Sequence, residues 1–237
     1  MPRPTSYKFL STLMLLCIGF SLTSLAQQTK TVAVQNFTDI SVASGIDLYL
    51  RQGNSEGLKI TSSAELLKDV IIEKKGTSLT IRYKNNVNWE RIVHSQKIKA
   101  YVTYKTLNAL SASGGSDVYS QNTIKSSHFA IHSSGGSDVK LDLMTSNLEL
   151  HSSGGSDVDL RGKATNMEIH ASGGSDINAY DFVVENARVN TSGGSDVNIH
   201  VTKALEASAS GGSEVHFKGN AALKDNSSKS GGVKRVN

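Results

Sequence analysis

Carboxylate side chains recur at one position of a short repeated motif, where their type and spacing could bind a ligand or a cation. The motif S-G-G-S-D-V begins at Ser113 and returns, with small variations, along the second half of the chain. If its copies stack, like positions form columns. One outward column would contain Asp117, Asp138, Asp157, Asp176, Asp196 and Glu214. We predict this acidic column as the candidate binding site.

Two interpretations of the acidic column follow from electrostatics. Carboxylates about 4.8 Å apart repel one another, so the column needs a stabilising partner. In the structural interpretation, each Asp accepts hydrogen bonds from backbone N–H groups of its own Gly-Gly corner, helped by Ser116 and its equivalents. In the functional one, Ca²⁺ bridges successive carboxylates, as in calcium-binding GGxGxDxUx solenoids. A serine here replaces the third glycine of that motif, so we predict no cofactor and keep Ca²⁺ as the alternative.

Histidines form a second predicted column, consisting of His132, His151 and His170, each three residues before a glycine. Stacked imidazoles could share zinc or copper. No acidic or thiolate partner is evident in the sequence, and the column ends after three copies, so we predict an exposed polar stack and no metal site. The repeated serines lack a repeated base and are expected to form hydroxyl ladders at a crowded corner, so no catalytic residue is predicted.

The repeat that carries these residues has a period near 20 residues. Its first glycines are Gly114, Gly135, Gly154, Gly173, Gly193, Gly211 and Gly231. Their spacings are 21, 19, 19, 20, 18 and 20 residues, which is typical of one solenoid coil per repeat.

Alternation of apolar and polar residues between the glycines predicts strands. Apolar residues stand six and four positions before the five first glycines from Gly135 to Gly211, as Leu148 and Leu150 do before Gly154. This period of two indicates a strand with one buried face. The Gly-Gly pair supplies the positive φ that a sharp corner requires. We therefore predict an all-β fold, a β-solenoid with coils of about 20 residues and SGGSD corner turns.

The chain divides into four predicted parts. Residues 1–26 form a signal peptide, 27–110 an N-terminal β region, 111–218 the SGGSDV-repeat solenoid and 219–237 a polar C-terminal cap. The N-terminal region reads as the first, larger coils of the same solenoid. It includes one short helix near Ala64 and ASGIDL at Ala43, which resembles a degenerate copy of the corner.

The signal peptide prediction rests on Arg3 and Lys8, the apolar run that follows them, and small residues at Ser24 and Ala26. Cleavage after Ala26 would remove Cys17, the one cysteine, and would exclude disulfides and thiolate sites. It would also lower the net charge from +4 to +2, because 23 basic residues then face 21 acidic ones. We expect no nucleic-acid partner and no transmembrane segment after cleavage.

The F-x-x-I-x-V-x-x-G-I-D-L segment at Phe37 to Leu48, together with the signal peptide and the repeated corners, resembles the "putative auto-transporter adhesin head GIN domain" family. The resemblance covers roughly Phe37 to Lys218. It implies a right-handed β-solenoid of Gram-negative envelope or surface proteins, with adhesion as the inferred role.

These observations lead to one function hypothesis and two alternatives. We predict a non-enzymatic, exported protein, periplasmic or on the outer surface of a Gram-negative bacterium, which binds a surface glycan or an envelope protein. Open edges of a solenoid would also permit a homo-oligomer. The alternatives are a calcium-stiffened structural protein of the envelope and a polysaccharide-acting enzyme. The enzyme needs unequal residues in a cleft, whereas this wall is nearly uniform.

Overall fold

The protein is an almost entirely β structure in a computed structural model, which describes residues 27–85, 87, 90 and 97–236. The predicted signal peptide lies outside the described residues. No helix in the described part of the chain is long and apolar enough to cross a membrane. The elements are β1 Gln28–Val32, β2 Asp39–Ala43, β3 Asp47–Gln52, β4 Gly57–Ser62, α1 Ala64–Leu67, β5 Val70–Lys75, β6 Ser78–Tyr83, β7 Lys99–Tyr104, β8 Ala109–Ser113, β9 Asp117–Ser120, β10 Ile124–Ser134, β11 Asp138–Ser153, β12 Asp157–Ala171, β13 Asp176–Thr191, β14 Asp196–Ala209, β15 Glu214–Lys218, β16 Ala222–Asp225 and β17 Gly232–Arg235.

Long strands of the second half each run from one glycine corner to the next. β11 starts after one corner and ends at the following one, and it pairs in parallel with β10 before it and β12 after it. Equivalent residues one period apart are partners, as Leu150 and Ile169 are. The fold is therefore a β-solenoid of about seven turns, as the repeat predicts; its right-handed sense stays a prediction.

The core of the solenoid is one continuous stack of apolar side chains. Val139 and Val158, just after their corners, are at most 1% exposed, and Leu150 and Ile169, before the next corners, are fully buried. The period-two alternation correctly identified both inward columns, because neighbouring side chains of a strand face opposite sides of the sheet.

The N-terminal β region forms the first layers of the same stack, but their order in space differs from their order in sequence. β2 and β3 lie between β6 and β7 on one side and β8 and β9 on the other. After β3 the chain forms β4, α1 and β5, then β6 and β7, and returns to β8. β4 and β5 pair antiparallel with β7 and β6 on the side away from β2 and β3, and β1 pairs antiparallel with β4. The predicted short helix is present as α1, with Ser63 as its N-cap, whose hydroxyl accepts from the backbone N–H of Leu66.

The last predicted segment continues the ladder as a final, incomplete coil. β16 pairs with β14 and β17 pairs with β15, both in parallel. Every residue of β16 is exposed, and Leu223 is 42% exposed. β16 and β17 therefore add a last layer to the stack as strands, and the role of residues 219–237 as a polar cap stays a prediction.

Candidate functional site

Glycine corners hold the acidic column in place through their backbone geometry. The first glycine of each pair except the last, Gly231, has a positive φ, 77° at Gly173 and 78° at Gly193. A Cβ on Gly173 would lie 3.0 Å from the backbone nitrogen and oxygen of Gly154 in the preceding coil. A Cβ on the second glycine, Gly155, would meet nothing within 4 Å. The first position therefore requires glycine both for its conformation and for the stacking of the coils.

Serines after the glycine pairs are fully buried and close the corners. Ser137 is 0% exposed, and its hydroxyl accepts from the backbone N–H of Ser134 at 3.2 Å and lies 2.9 Å from the Ser134 carbonyl oxygen. It also lies 3.0 Å from the hydroxyl of Ser133. The serine hydroxyl thus accepts the hydrogen bond from the corner backbone N–H that the sequence had led us to expect at the aspartate carboxylate.

The acidic column is aligned as predicted. Strand register pairs Asp117 with Asp138 and continues through Asp157 to Asp176, and the pairing then reaches Asp196 and Glu214. Its use as a binding site remains a prediction.

The carboxylates of the column do not accept hydrogen bonds from their own corners. Among the residues that the structure describes, no donor lies within hydrogen-bonding distance of the Asp138, Asp157, Asp176 or Asp196 side chains. The structural interpretation is therefore wrong in this respect, because the buried serine takes up the corner N–H group. Burial raises the pKa of Asp157, and the neighbouring charges of Asp138 and Asp176 raise it further.

Asp47 extends the column at its N-terminal end, which the sequence analysis had not assigned to the site. On one side, Asp47 is in register with Lys99 of β7. On the other side, Leu48 pairs with Val118, so the preceding residues Asp47 and Asp117 are also neighbours. The Lys97 ammonium lies 2.7 Å from Asp117 Oδ2 and 3.4 Å from Asp47 Oδ1. Burial raises the pKa of Asp47 against the opposing effect of Lys97, and the hydrogen bond to Asp117 raises the pKa of Lys97.

A stack of three tyrosine rings runs beside this end of the acidic column. Tyr49 stacks on Tyr101 with 4.9 Å between ring centroids and on Tyr119 with 5.4 Å. We call these three residues the tyrosine ladder. They come from β7, β3 and β9, which are adjacent in space only because β2 and β3 are inserted between later strands.

The histidine column is also aligned, and its rings stack at 5.0 Å between His132 and His151 and at 4.8 Å between His151 and His170. The prediction that it has no acidic partner is wrong. Glu149 Oε1 lies 2.7 Å from His151 Nε2, and Glu168 Oε1 lies 3.2 Å from His170 Nε2. The hydrogen bond to His151 lowers the pKa of Glu149.

No resident metal centre is evident in the described ranges 27–85, 87, 90 and 97–236. They contain no group of three or more His, Cys, Asp or Glu side chains arranged to hold one metal ion. A bridging Ca²⁺ would instead rest on pairs of carboxylates along the acidic column, with water completing its coordination.

Parallel strands stacked coil upon coil define the class of the fold as a β-solenoid. The chain belongs to the family described as "Putative auto-transporter adhesin, head GIN domain", whose sequence model matches residues 36–221. This confirms the resemblance drawn from the corners and the Phe37 to Leu48 segment.

Solved structures from Bacteroides and Parabacteroides species share this fold. A putative adhesin from Bacteroides fragilis NCTC 9343 has 22% identity and a TM-score of 0.80, covering 89% of this chain and 97% of its own. A putative adhesin from Parabacteroides merdae ATCC 43184 has 21% identity and a TM-score of 0.71, covering 89% and 96%. A protein from Parabacteroides distasonis ATCC 8503 described as a putative lipid binding protein has 19% identity and a TM-score of 0.69, covering 89% and 97%. No curated protein sequence matches this chain.

Proposed function

We propose that this protein is an exported, non-enzymatic binding module of the cell envelope or surface, and that the face carrying the acidic column and the tyrosine ladder contacts its partner. The observation that carries the proposal is the row of outward carboxylates without hydrogen-bond donors among the described residues. Such groups are free to accept hydrogen bonds from a partner across several coils. Membership of an adhesin family supports the same role.

The repeated carboxylates of the acidic column favour a recognition surface over a catalytic cleft. Asp138, Asp157 and Asp176 stand at the same position of successive coils, so their environments resemble one another. A hydrolase would need two carboxyl groups in different environments, one acting as acid and the other as base or nucleophile. The partner expected from this chemistry is a surface glycan or an envelope protein that offers several donors in a row.

Location and adhesion test the proposal separately. Protease treatment of intact native cells should remove this protein and spare a periplasmic control if the face lies outside the cell. Beads coated with the purified protein should adhere to immobilised host or matrix glycans. Adhesion should be lost when Asp138, Asp157 and Asp176 are all replaced by asparagine, and retained in His151→Gln. Equal adhesion of the triple variant would refute the role of the column.

A calcium-stiffened envelope protein is the second candidate, favoured by the raised pKa of Asp157 between two like charges. A cation between successive carboxylates would relieve that repulsion. Millimolar Ca²⁺ should then raise the melting temperature of the wild type, and chelation should reverse the rise. The same melt on Asp157→Asn should show a smaller shift. A wild-type curve that does not move with Ca²⁺ would exclude this candidate.

A further inference from the structure

The tyrosine ladder ends at Tyr119. Tyr49 covers one face of the Tyr119 ring at 5.4 Å. The next residue in the same column is Lys140, which is the register partner of Tyr119 and whose ammonium lies 3.4 Å from Asp159 Oδ2. Tyr119 is half-buried and lines a groove in the solenoid wall together with Lys140 and Asp159.

This groove has a volume of about 330 Å³ and spans four successive coils. We call it the Tyr119 groove. Its size is at the lower end of the range for small-ligand sites. The residues that supply its ring and its main polar groups are Tyr119, Lys140, Asp142, Asp159, Arg161 and Asn178.

The polar groups of the groove alternate between donors and acceptors. Asp159 accepts from Asn178 Nδ2 at 3.2 Å and is paired with Lys140, which holds its carboxylate in position. Arg161 stands in register between Asp142 and Asp181. It nevertheless has no ion-pair partner within 4.0 Å among the described residues, so its guanidinium is available to a ligand.

The charge of the lining argues against a polyanion. Lys140 and Arg161 face three carboxylates, those of Asp142, Asp159 and Asp181. A strongly anionic ligand would meet those carboxylates, and a polycation would meet the two basic groups. A neutral ligand rich in hydroxyl groups suits the lining, because each hydroxyl both donates and accepts a hydrogen bond.

We propose that the Tyr119 groove is a binding subsite for a neutral pyranose unit of a glycan, with the apolar face of the sugar stacked on the Tyr119 ring. The groups at Asp159, Asn178 and Arg161 would bind its hydroxyls. This inference rests on the proposed function, since it names the ligand class of the same face. The subsite stands on strands β9, β11, β12 and β13, whose ladder holds its parts in fixed positions.

The test is titration of the purified protein with neutral gluco-, manno- and galacto-oligosaccharides by calorimetry, with oligogalacturonate as the anionic comparison. At least one neutral series should bind, and Tyr119→Ala should weaken it about tenfold by removing the stacking surface. Tyr119→Phe keeps the ring and should bind within about threefold of the wild type. His132→Ala, which removes a stacked ring of the histidine column, is the matched control and should bind as the wild type does.

Three results would overturn the subsite: binding of no neutral series, binding of oligogalacturonate alone, or equal affinity of Tyr119→Ala and the wild type. A thermal melt of each variant shows whether it is folded. If Tyr119→Ala does not fold, the test rests on the binding of the wild type and of Tyr119→Phe. Adhesion separates this inference from the proposed function. If beads still adhere through the acidic column while no neutral sugar binds, the subsite fails alone. If sugars bind but the protein neither adheres to a surface nor is reached by protease, the proposed function fails alone.

Discussion

Lys97 stabilises the two carboxylates at the N-terminal end of the acidic column. Asp47 has a side chain only 11% exposed, and its Oδ1 finds no hydrogen-bond partner although the Lys97 ammonium is 3.4 Å away. The ionised Asp47 side chain is therefore stabilised by the charge of Lys97 without a hydrogen bond to its Oδ1. Removing the cation would leave a nearly buried carboxylate beside Asp117 with no compensation.

Replacing Lys97 with methionine should lower the free energy of unfolding by about 1–3 kcal/mol at pH 7. The Asp47 pKa is already raised by burial, and it should rise further without the lysine. A carboxylate with a raised folded-state pKa is more favourable to folding when protonated, so the loss should shrink as the pH falls through that pKa. Urea denaturation at pH 7 and pH 4 measures both effects.

Lys140→Met is the matched control for that experiment. Its partner Asp159 has a side chain 42% exposed, so the loss of this pair should change stability by less than about 0.5 kcal/mol. If Lys140→Met lowers the free energy of unfolding as much as Lys97→Met does, burial of the carboxylate partner does not determine the effect of losing the lysine. Asp47→Asn combined with Lys97→Met should restore most of the stability.

Asp157 lies in the middle of the acidic column, and we expect it to be under electrostatic strain. Its folded-state pKa is raised, first by burial and then by Asp138 and Asp176. The ionised form therefore opposes folding above that pKa, and the opposition disappears as the pH falls. Because Asp157 is exposed and solvent screens its charge, Asp157→Asn should melt at most about 2–4 °C higher than the wild type at pH 7, and the gain should vanish near pH 3. Glu73→Gln, which removes an exposed charge on β5, should show no such gain, and equal gains would contradict the argument.

At the scale of the element, the glycine corner is defined by its first glycine. Gly173→Ala places a methyl group 3.0 Å from backbone atoms of Gly154 and at a positive φ. We expect it to lower the free energy of unfolding by at least about 1–2 kcal/mol. Gly155→Ala has no positive φ and open space, so it should change stability by less than about 0.5 kcal/mol. Thermal melts of the two variants test this prediction. Equal losses of stability would show that the stacking of the coils does not require glycine at the first position.

Local sequence patterns predicted those features that each repeat encodes by itself. The period of glycines and the alternation around Leu148 and Leu150 were enough to predict coils, inward columns and the alignment of Asp138 with Asp157. The partners of the histidines could also have been predicted, because Glu149 stands two residues before His151 and side chains two apart on a strand share a face.

Features that depend on the order of the layers could not be predicted in the same way. Tyr49, Tyr101 and Tyr119 stack because β3 is inserted between β7 and β9, and no period in the sequence encodes that insertion. Lys97 comes just before β7 and far along the chain from Asp47, so their contact also depends on long-range pairing. The burial of Ser137 and its hydrogen bonds to Ser134 could not be predicted either, because they depend on the three-dimensional geometry of the corner.

At the scale of the whole molecule, each coil of the repeat region pairs along its strands with the coils on either side of it. The strand β12 pairs with β11 and β13, and equivalent residues are in register through all three apart from one shift between Asp159 and Arg161 in the pairing with β13. Stability should therefore behave as a sum over coils and the interfaces between them. One coil of the repeat region should be removable if the register of its neighbours is kept.

Deleting residues 154–172 tests this property, because it joins Ser153 to Gly173 and keeps the order S-G-G-S-D at the new corner. The shortened chain should fold, with a β-type circular dichroism spectrum and a cooperative melt at a lower temperature, since one coil and one interface are lost. Deleting residues 154–163 instead removes about half a coil, and Val158, Leu160 and their corner with it. That change puts polar residues into inward columns and should give a chain that aggregates. If the two deletions behave alike, neighbouring coils do not form the stabilising unit, and the argument from stacking fails.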